Sequence, residues 1–167
     1  TRELIVERGE HDMKSEIERF PRLFRAAESV PGLTWPTIVF DRRMTLMMGT
    51  LQVEIMQLGR GHTKGDTVVW LPQDGVLFSG DLVEYEATPY TGDAYLTDWP
   101  ATLDAIAALQ PQKLVPGRGA ALQSPEAVRS GLEGTRAFVT AMFECVKSGA
   151  RAGRDLRTVY RETYEAL

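Results

Sequence analysis

Three features of the 167-residue chain predict an α/β fold. Strand-like runs crowd the middle, helix-like periodicity brackets them on both sides, and no Pro-, Gly- or Ser-rich linker parts the chain into two domains. From Glu10 to about Glu28, residues Met13, Ile17, Phe20, Leu23 and Phe24 recur every three or four positions. That spacing predicts a helix, which Pro21 kinks or divides. "SVPGLTWP" is a loop. "TIVF" and "MTLMM" predict strands around a turn at residues 41–43. "LQVEIMQL" alternates, with Leu51, Val53 and Ile55 on one side and Gln52 and Glu54 on the other, the pattern of a half-buried strand.

"TVVWL" and "VLF" predict two more strands, with Asp74-Gly75 as their hairpin turn. The second of them ends at Gly80-Asp81. "EYEATPYTGDAYLTD" is a long irregular loop, and its Tyr85, Tyr90, Asp93 and Tyr95 could line a cleft. Asp98 is placed to cap a helix with Pro100 in its first turn and Trp99, Leu103 and Ile106 as its buried stripe. "KLVPGRG" reads as a short strand and a tight turn. Ser124-Pro125 opens a helix carried by Val128, Leu132, Val139, Met142 and Val146 to Gly149. In the last helix Leu156, Val159, Tyr160, Thr163, Tyr164 and Leu167 share one face, a core or interface stripe.

Hydrophobic residues make up 43% and charged residues 25%, an ordinary globular composition. A net charge of −4 argues against nucleic-acid or anionic-membrane partners, and no apolar run approaches the ~20 residues of a membrane helix. The single Cys145 excludes an intrachain disulfide and a thiolate zinc cluster. With no signal-peptide pattern in "TRELIVERGEHDMK", a cytoplasmic location is expected.

The chain has two histidines, and one of them, His62, lies in the Gly-rich stretch "LGRGHTKGD". Taken singly, the polar residues here have plain accounts. His62 could bond to backbone, Asp66 could cap a turn, and Asp81 could end a strand. Taken together, His62 and Asp81 sit at the exits of neighbouring strands, 19 residues apart, where α/β folds build sites. Imidazole with carboxylate suits zinc, with iron or manganese as alternatives.

"GHTKGDTVVWLP" followed by "VLFSGDLV" and "LVPGRG" resembles the metallo-β-lactamase superfamily over about residues 37–120. The resemblance implies a four-layer αβ/βα sandwich, here without its N-terminal portion, formed by one partial domain spanning residues 1–167 with C-terminal helices at 124–167. It implies that His62 binds one metal and that Asp81 bridges two and helps orient the nucleophile. Arg118 stands where the family has the histidine for the second metal, and the family's His-x-His-x-Asp-His motif is absent from this sequence. His11-Asp12 does not replace it. At most one tightly bound metal is therefore expected, down to none in a fragment, which alone would be inactive. Arg118 could replace a cation's charge, hold an anionic substrate group or pair with a carboxylate such as Asp81, and Lys64 could meet an anionic group. The implied reaction is attack of metal-activated water on an ester, thioester, amide or phosphoester of a small molecule. The alternative is a non-catalytic binding or assembly module with an incomplete metal site. A missing N-terminal portion would leave apolar surface, which predicts a homo-oligomer or association with that portion.

Overall fold

The computed structural model describes residues 2–29 and 31–167. The chain divides into two compact units, residues 1–41 and 42–167. In the first, α1 spans Arg2–Arg19, followed by turns and a short 3-10 turn at Ala27–Ser29. The helix thus starts well before Glu10 and stops before Pro21, instead of continuing past it as a kinked helix. A residue preceding proline is pushed out of the helical region, and Phe20 is that residue. Leu33 folds back to lie 3.3 Å from where a side chain on Gly9 would begin. His11 is exposed on α1, and its neighbour Asp12 pairs with Arg8 at 2.6 Å. The expected strand at "TIVF" is irregular chain with Ile38 and Val39 exposed. Branched residues favour strands only when a neighbouring strand pairs with them, and none does here among the described residues.

The second unit is built on one five-stranded sheet in the order β1-β2-β3-β4-β5. β1 (Arg43–Met48), β2 (Leu51–Met56), β3 (Val68–Leu71) and β4 (Val76–Glu84) form an antiparallel meander. Gly75 adopts φ +62° in the predicted Asp74-Gly75 turn, a conformation that costs glycine least. After β4 the chain crosses through α2 (Trp99–Ala108) and returns as β5 (Lys113–Arg118), parallel to β4. α2 and α3 (Pro125–Arg151) pack on β4, and α4 (Leu156–Ala166) packs on α3. Leu77, Leu82, Trp99, Leu103, Ile106 and Leu114 are wholly buried between these layers.

The Ser124 side chain caps α3 by accepting from Ala127 N–H at 3.2 Å, as its sequence position predicts. α4 reaches α3 at Gly149, where a Cβ would lie 2.5 Å from Val159. Of the expected α4 stripe only Val159 and Thr163 are buried, whereas Leu156, Tyr160, Tyr164 and Leu167 are exposed. Tyr160 and Tyr164 are therefore not core. Among the described residues α4 packs chiefly on α3, and one helix covers only a narrow strip of another. Among the described residues, no helix is long and apolar enough to cross a membrane.

β2 departs from simple alternation, because Glu54 is as buried as its apolar neighbour Val53. Arg43, Gln52 and Thr45 all donate hydrogen bonds to its carboxylate and cover it. Bonds from Arg43 and then Gln52 hold the Glu54 carboxyl down, from 4.5 to about 2. A lowered folded-state pKa contributes stability that is present above the ordinary carboxylate range and lost on acidification. Stability should therefore fall as pH drops from 4.5 toward about 2. Glu54→Gln should flatten that acid limb in thermal unfolding, and an unchanged limb would show that the network contributes nothing. Salt should weaken the effect only partly, since Arg43 is 61% exposed while the carboxylate is covered.

Candidate active site

The sheet's β4–β5 end gathers the polar residues singled out above. β4 does not stop at Gly80-Asp81 but runs on to Glu84. Between Phe78 and Glu84 it uses six steps where β5 uses three from Val115 to Arg118. This bulge, with Gly80 at φ +53°, re-aims the strand so that Asp81 emerges beside β5. Asp81 then packs closely against Gly117 of β5. A Cβ on Gly117 would sit 2.1 Å from Asp81 Oδ1, so only glycine fits there. Gly119 at φ +94° makes the same allowance for the carbonyl of Tyr85.

The His62 turn is held by Asp66. Its carboxylate accepts from Gly61 N–H (3.1 Å), Thr63 N–H (2.9 Å) and the Thr63 hydroxyl (2.7 Å). Gly61 has no room for a side chain, since a Cβ would meet Leu82 at 2.5 Å and Trp99 at 3.0 Å. His62 therefore sits edge-on to the buried Trp99 ring, with centroids 6.2 Å apart. Its Nε2 is 3.8 Å from Asp81 Oδ2, and its Nδ1 faces Asp66 Oδ1 at 3.9 Å. Lys64 follows on the exposed rim of the same turn.

Arg118 ends β5 with its Nη1 3.8 Å from Asp81 Oδ1, but it donates its hydrogen bond to Glu84 Oε1. Arg118 is 52% exposed and the Glu84 side chain is 0% exposed. Glu84 Oε2 is buried without a hydrogen-bond partner among the described residues. Burial pushes the Glu84 carboxyl up, and Asp81 adds to that while Arg118 opposes it. The carboxylate paired with Arg118 is thus Glu84 in preference to Asp81. The helix-capping role expected of Asp98 is also displaced. It occupies the N-cap position of α2 with no side-chain cap bond, and Arg60 donates to it at 2.7 Å. Sequence reasoning missed Glu84 entirely. The one available signal was an acidic residue three positions after Asp81 inside an apolar run.

This order of elements, with a glycine-flanked histidine turn, an aspartate on the next hairpin's far strand and a Pro-Gly-Arg-Gly end to β5, has counterparts among known proteins. The sequence profile described as metallo-beta-lactamase superfamily matches residues 5–118.

The chain belongs to the metallo-beta-lactamase superfamily.

The match reaches nearer the N-terminus than the three motifs alone. A type 2 metallo-beta-lactamase from Bacteroides fragilis is 34% identical over 93 residues, covering 53% of this chain and 37% of that protein. One from Bacillus cereus is 36% identical over 64 residues, covering 36% of this chain and 25% of that protein. A solved metallo-beta-lactamase from Pontibacter korlensis superposes with a TM-score of 0.57 at 27% identity, over 74% of this chain and 62% of that one. The chain therefore spans well under half the length of these two curated relatives and less than two-thirds of the solved one.

The superfamily implies metal, and the donors can be tested against it. Two ligand atoms about 2.1 Å from a zinc ion at a tetrahedral angle stand roughly 3.4 Å apart. His62 Nε2 and Asp81 Oδ2, at 3.8 Å, fit as two ligands of one ion. They fall short of the ~three protein ligands of a catalytic zinc, and among the described residues no group of three or more His, Cys, Asp or Glu could hold a metal. The position of Arg118 does not fit a second ion, because guanidinium has no lone pair to donate.

Proposed function

We propose that this chain carries part of the reaction centre of a metal-dependent hydrolase. In this reading His62 and Asp81 are ligands of a single metal ion, and Arg118 is a fixed cation that meets an anionic group of the substrate. The observation that supports it most is the convergence of His62, Asp81 and Arg118 within 3.8 Å of one another in series at one end of the sheet. Zinc, or iron or manganese in its place, would supply a bound water of lowered pKa for attack on an ester, thioester, amide or phosphoester.

The protein side chains have their own tasks. Asp66 lies on the Nδ1 side of His62 and Asp81 on its Nε2 side. Asp81, pressed against Gly117, has one carboxylate oxygen toward His62 and the other toward Arg118. Arg118 is anchored through a single nitrogen, which leaves guanidinium N–H groups for an anion. A like charge at ~4 Å and an effective dielectric near 20 costs a divalent ion about 8 kcal/mol. Glu84 offsets part of that, but the missing ligand remains, so one metal per chain is expected.

Metal titration of the intact protein by calorimetry, beside a panel of ester, thioester, β-lactam and phosphodiester substrates, tests the reading. No more than one zinc per chain should bind, and His62→Ala or Asp81→Ala should abolish both binding and turnover. Two tightly held ions in the native protein would refute the charge argument, and binding indifferent to both replacements would refute the ligand assignment. The second reading, a non-catalytic module on the same fold, draws on the commitment of Arg118 to a buried carboxylate. Metal binding without turnover of any substrate in the panel would favour it.

A further inference from the structure

The loop that leaves β4 is fastened to the His62 turn at its far end. Tyr95 N–H donates to the Gly61 carbonyl at 2.7 Å, Arg60 bonds Asp98 at 2.7 Å, and the Arg60 guanidinium lies 4.4 Å over the Tyr95 ring. Upstream of these ties, Tyr90 reaches back toward the site. Its ring centroid is 5.9 Å from that of His62, yet the residue is 52% exposed. His62 thus has Trp99 as an inner aromatic neighbour and Tyr90 as an outer one, and Trp99 is wholly buried. Of these two rings, Tyr90 is the one that can offer a face to a ligand.

Gly92 gives the ring its seat. A Cβ at residue 92 would lie 2.1 Å from the Tyr90 hydroxyl and 2.4 Å from its Cζ. Gly92 is not among the glycines with positive φ, so its backbone has no need of glycine. What the missing side chain provides is room for Tyr90.

We infer that Tyr90, seated on Gly92, is a specificity-determining residue whose exposed ring, standing beside His62, takes an aromatic or other flat apolar group of the substrate. This rests on the hydrolase reading above for the place of the scissile bond. Asp81 turns one carboxylate oxygen to His62 and the other to Arg118, so the candidate site carries a cation as well as the Tyr90 ring. A small anion carrying a ring is the matching probe.

The test is a titration of isotope-labelled protein with phenylacetate and with acetate, reading dissociation constants from amide shifts. Phenylacetate should bind about fivefold more tightly, with its shifts centred on Gly92 and the His62 turn. Tyr90→Phe should keep the preference and Tyr90→Ala should remove it. Gly92→Ala, which pushes the ring off its seat at an exposed loop, should reduce it. Circular dichroism of all three variants should match the native protein. Equal binding of the two anions, or a preference that survives Tyr90→Ala, overturns the inference. The titration reads binding without turnover. A Tyr90-dependent preference in a protein that hydrolyses nothing in the substrate panel would therefore remove the hydrolase reading and leave this one standing.

Discussion

Arg118→His should destabilise the metal-free protein by about 2–3 kcal/mol, and added zinc should restore most of that loss. From sequence, the replacement simply supplies a ligand and removes a repelling charge. The structure adds Glu84, whose side chain is fully buried and whose bonded cation is Arg118. Removing one partner of a buried ion pair typically costs ~3–5 kcal/mol. The value is set lower here because Arg118 is half exposed and because Glu84, already pushed up by burial, can take a proton. Asp81 and Glu84 both direct an oxygen at the same guanidinium nitrogen. With the new imidazole beside them, they become three donors around the place of the lost cation. The variant should therefore gain more stability from zinc than the native protein does, and its metal content should rise toward two. Glu84→Gln combined with Arg118→His should remove the stability loss without added metal. Urea unfolding with and without chelator, together with elemental analysis, decides this. A single variant as stable as native in chelator would show that Glu84 does not depend on Arg118.

Trp99→Ala should cost about 4 kcal/mol, a large share of the ~5–15 kcal/mol that holds a domain folded. The ring is fully buried at the start of α2, and its Nε1–H donates to the Leu82 carbonyl at 3.0 Å. Truncation opens a cavity and leaves that carbonyl without its donor. It also removes the surface on which Gly61 and His62 rest. Metal affinity should fall with stability, and the His62 imidazole resonances should broaden. Trp99→Phe keeps much of the volume but loses the N–H, so its cost should be roughly half. Urea unfolding that placed Trp99→Ala within ~1 kcal/mol of native would contradict the packing described here.

Much of the second unit was legible in short stretches of sequence. The Asp74-Gly75 turn, the Ser124 cap, the Trp99–Leu103–Ile106 stripe and the three spaced motifs each depend on neighbours a few residues away. Local chemistry is therefore enough to predict them. Helix ends were less legible, because α1 and α3 extend or stop according to what the chain does next. The strand expected at residues 37–40 failed for want of a partner.

Sequence alone was enough for the α/β class, the order of the elements in the second unit and the candidacy of His62, Asp81 and Arg118. What these residues touch is set by the packing of distant elements. Glu84 and Arg118 are 34 residues apart, Arg60 and Asp98 are 38 apart, and Glu54 meets Arg43 across 11. The bulge at Gly80 depends on the register of β4 against β5, which no window of β4 alone contains. Tyr90 stands over His62 because a distant tie, Tyr95 to Gly61, brings its loop back. The physical reason is common to all of these. A side chain's hydrogen-bond partner and its dielectric surroundings are set by which strands and helices lie side by side. That arrangement is selected by burial of the whole apolar core and not by the residues at the site.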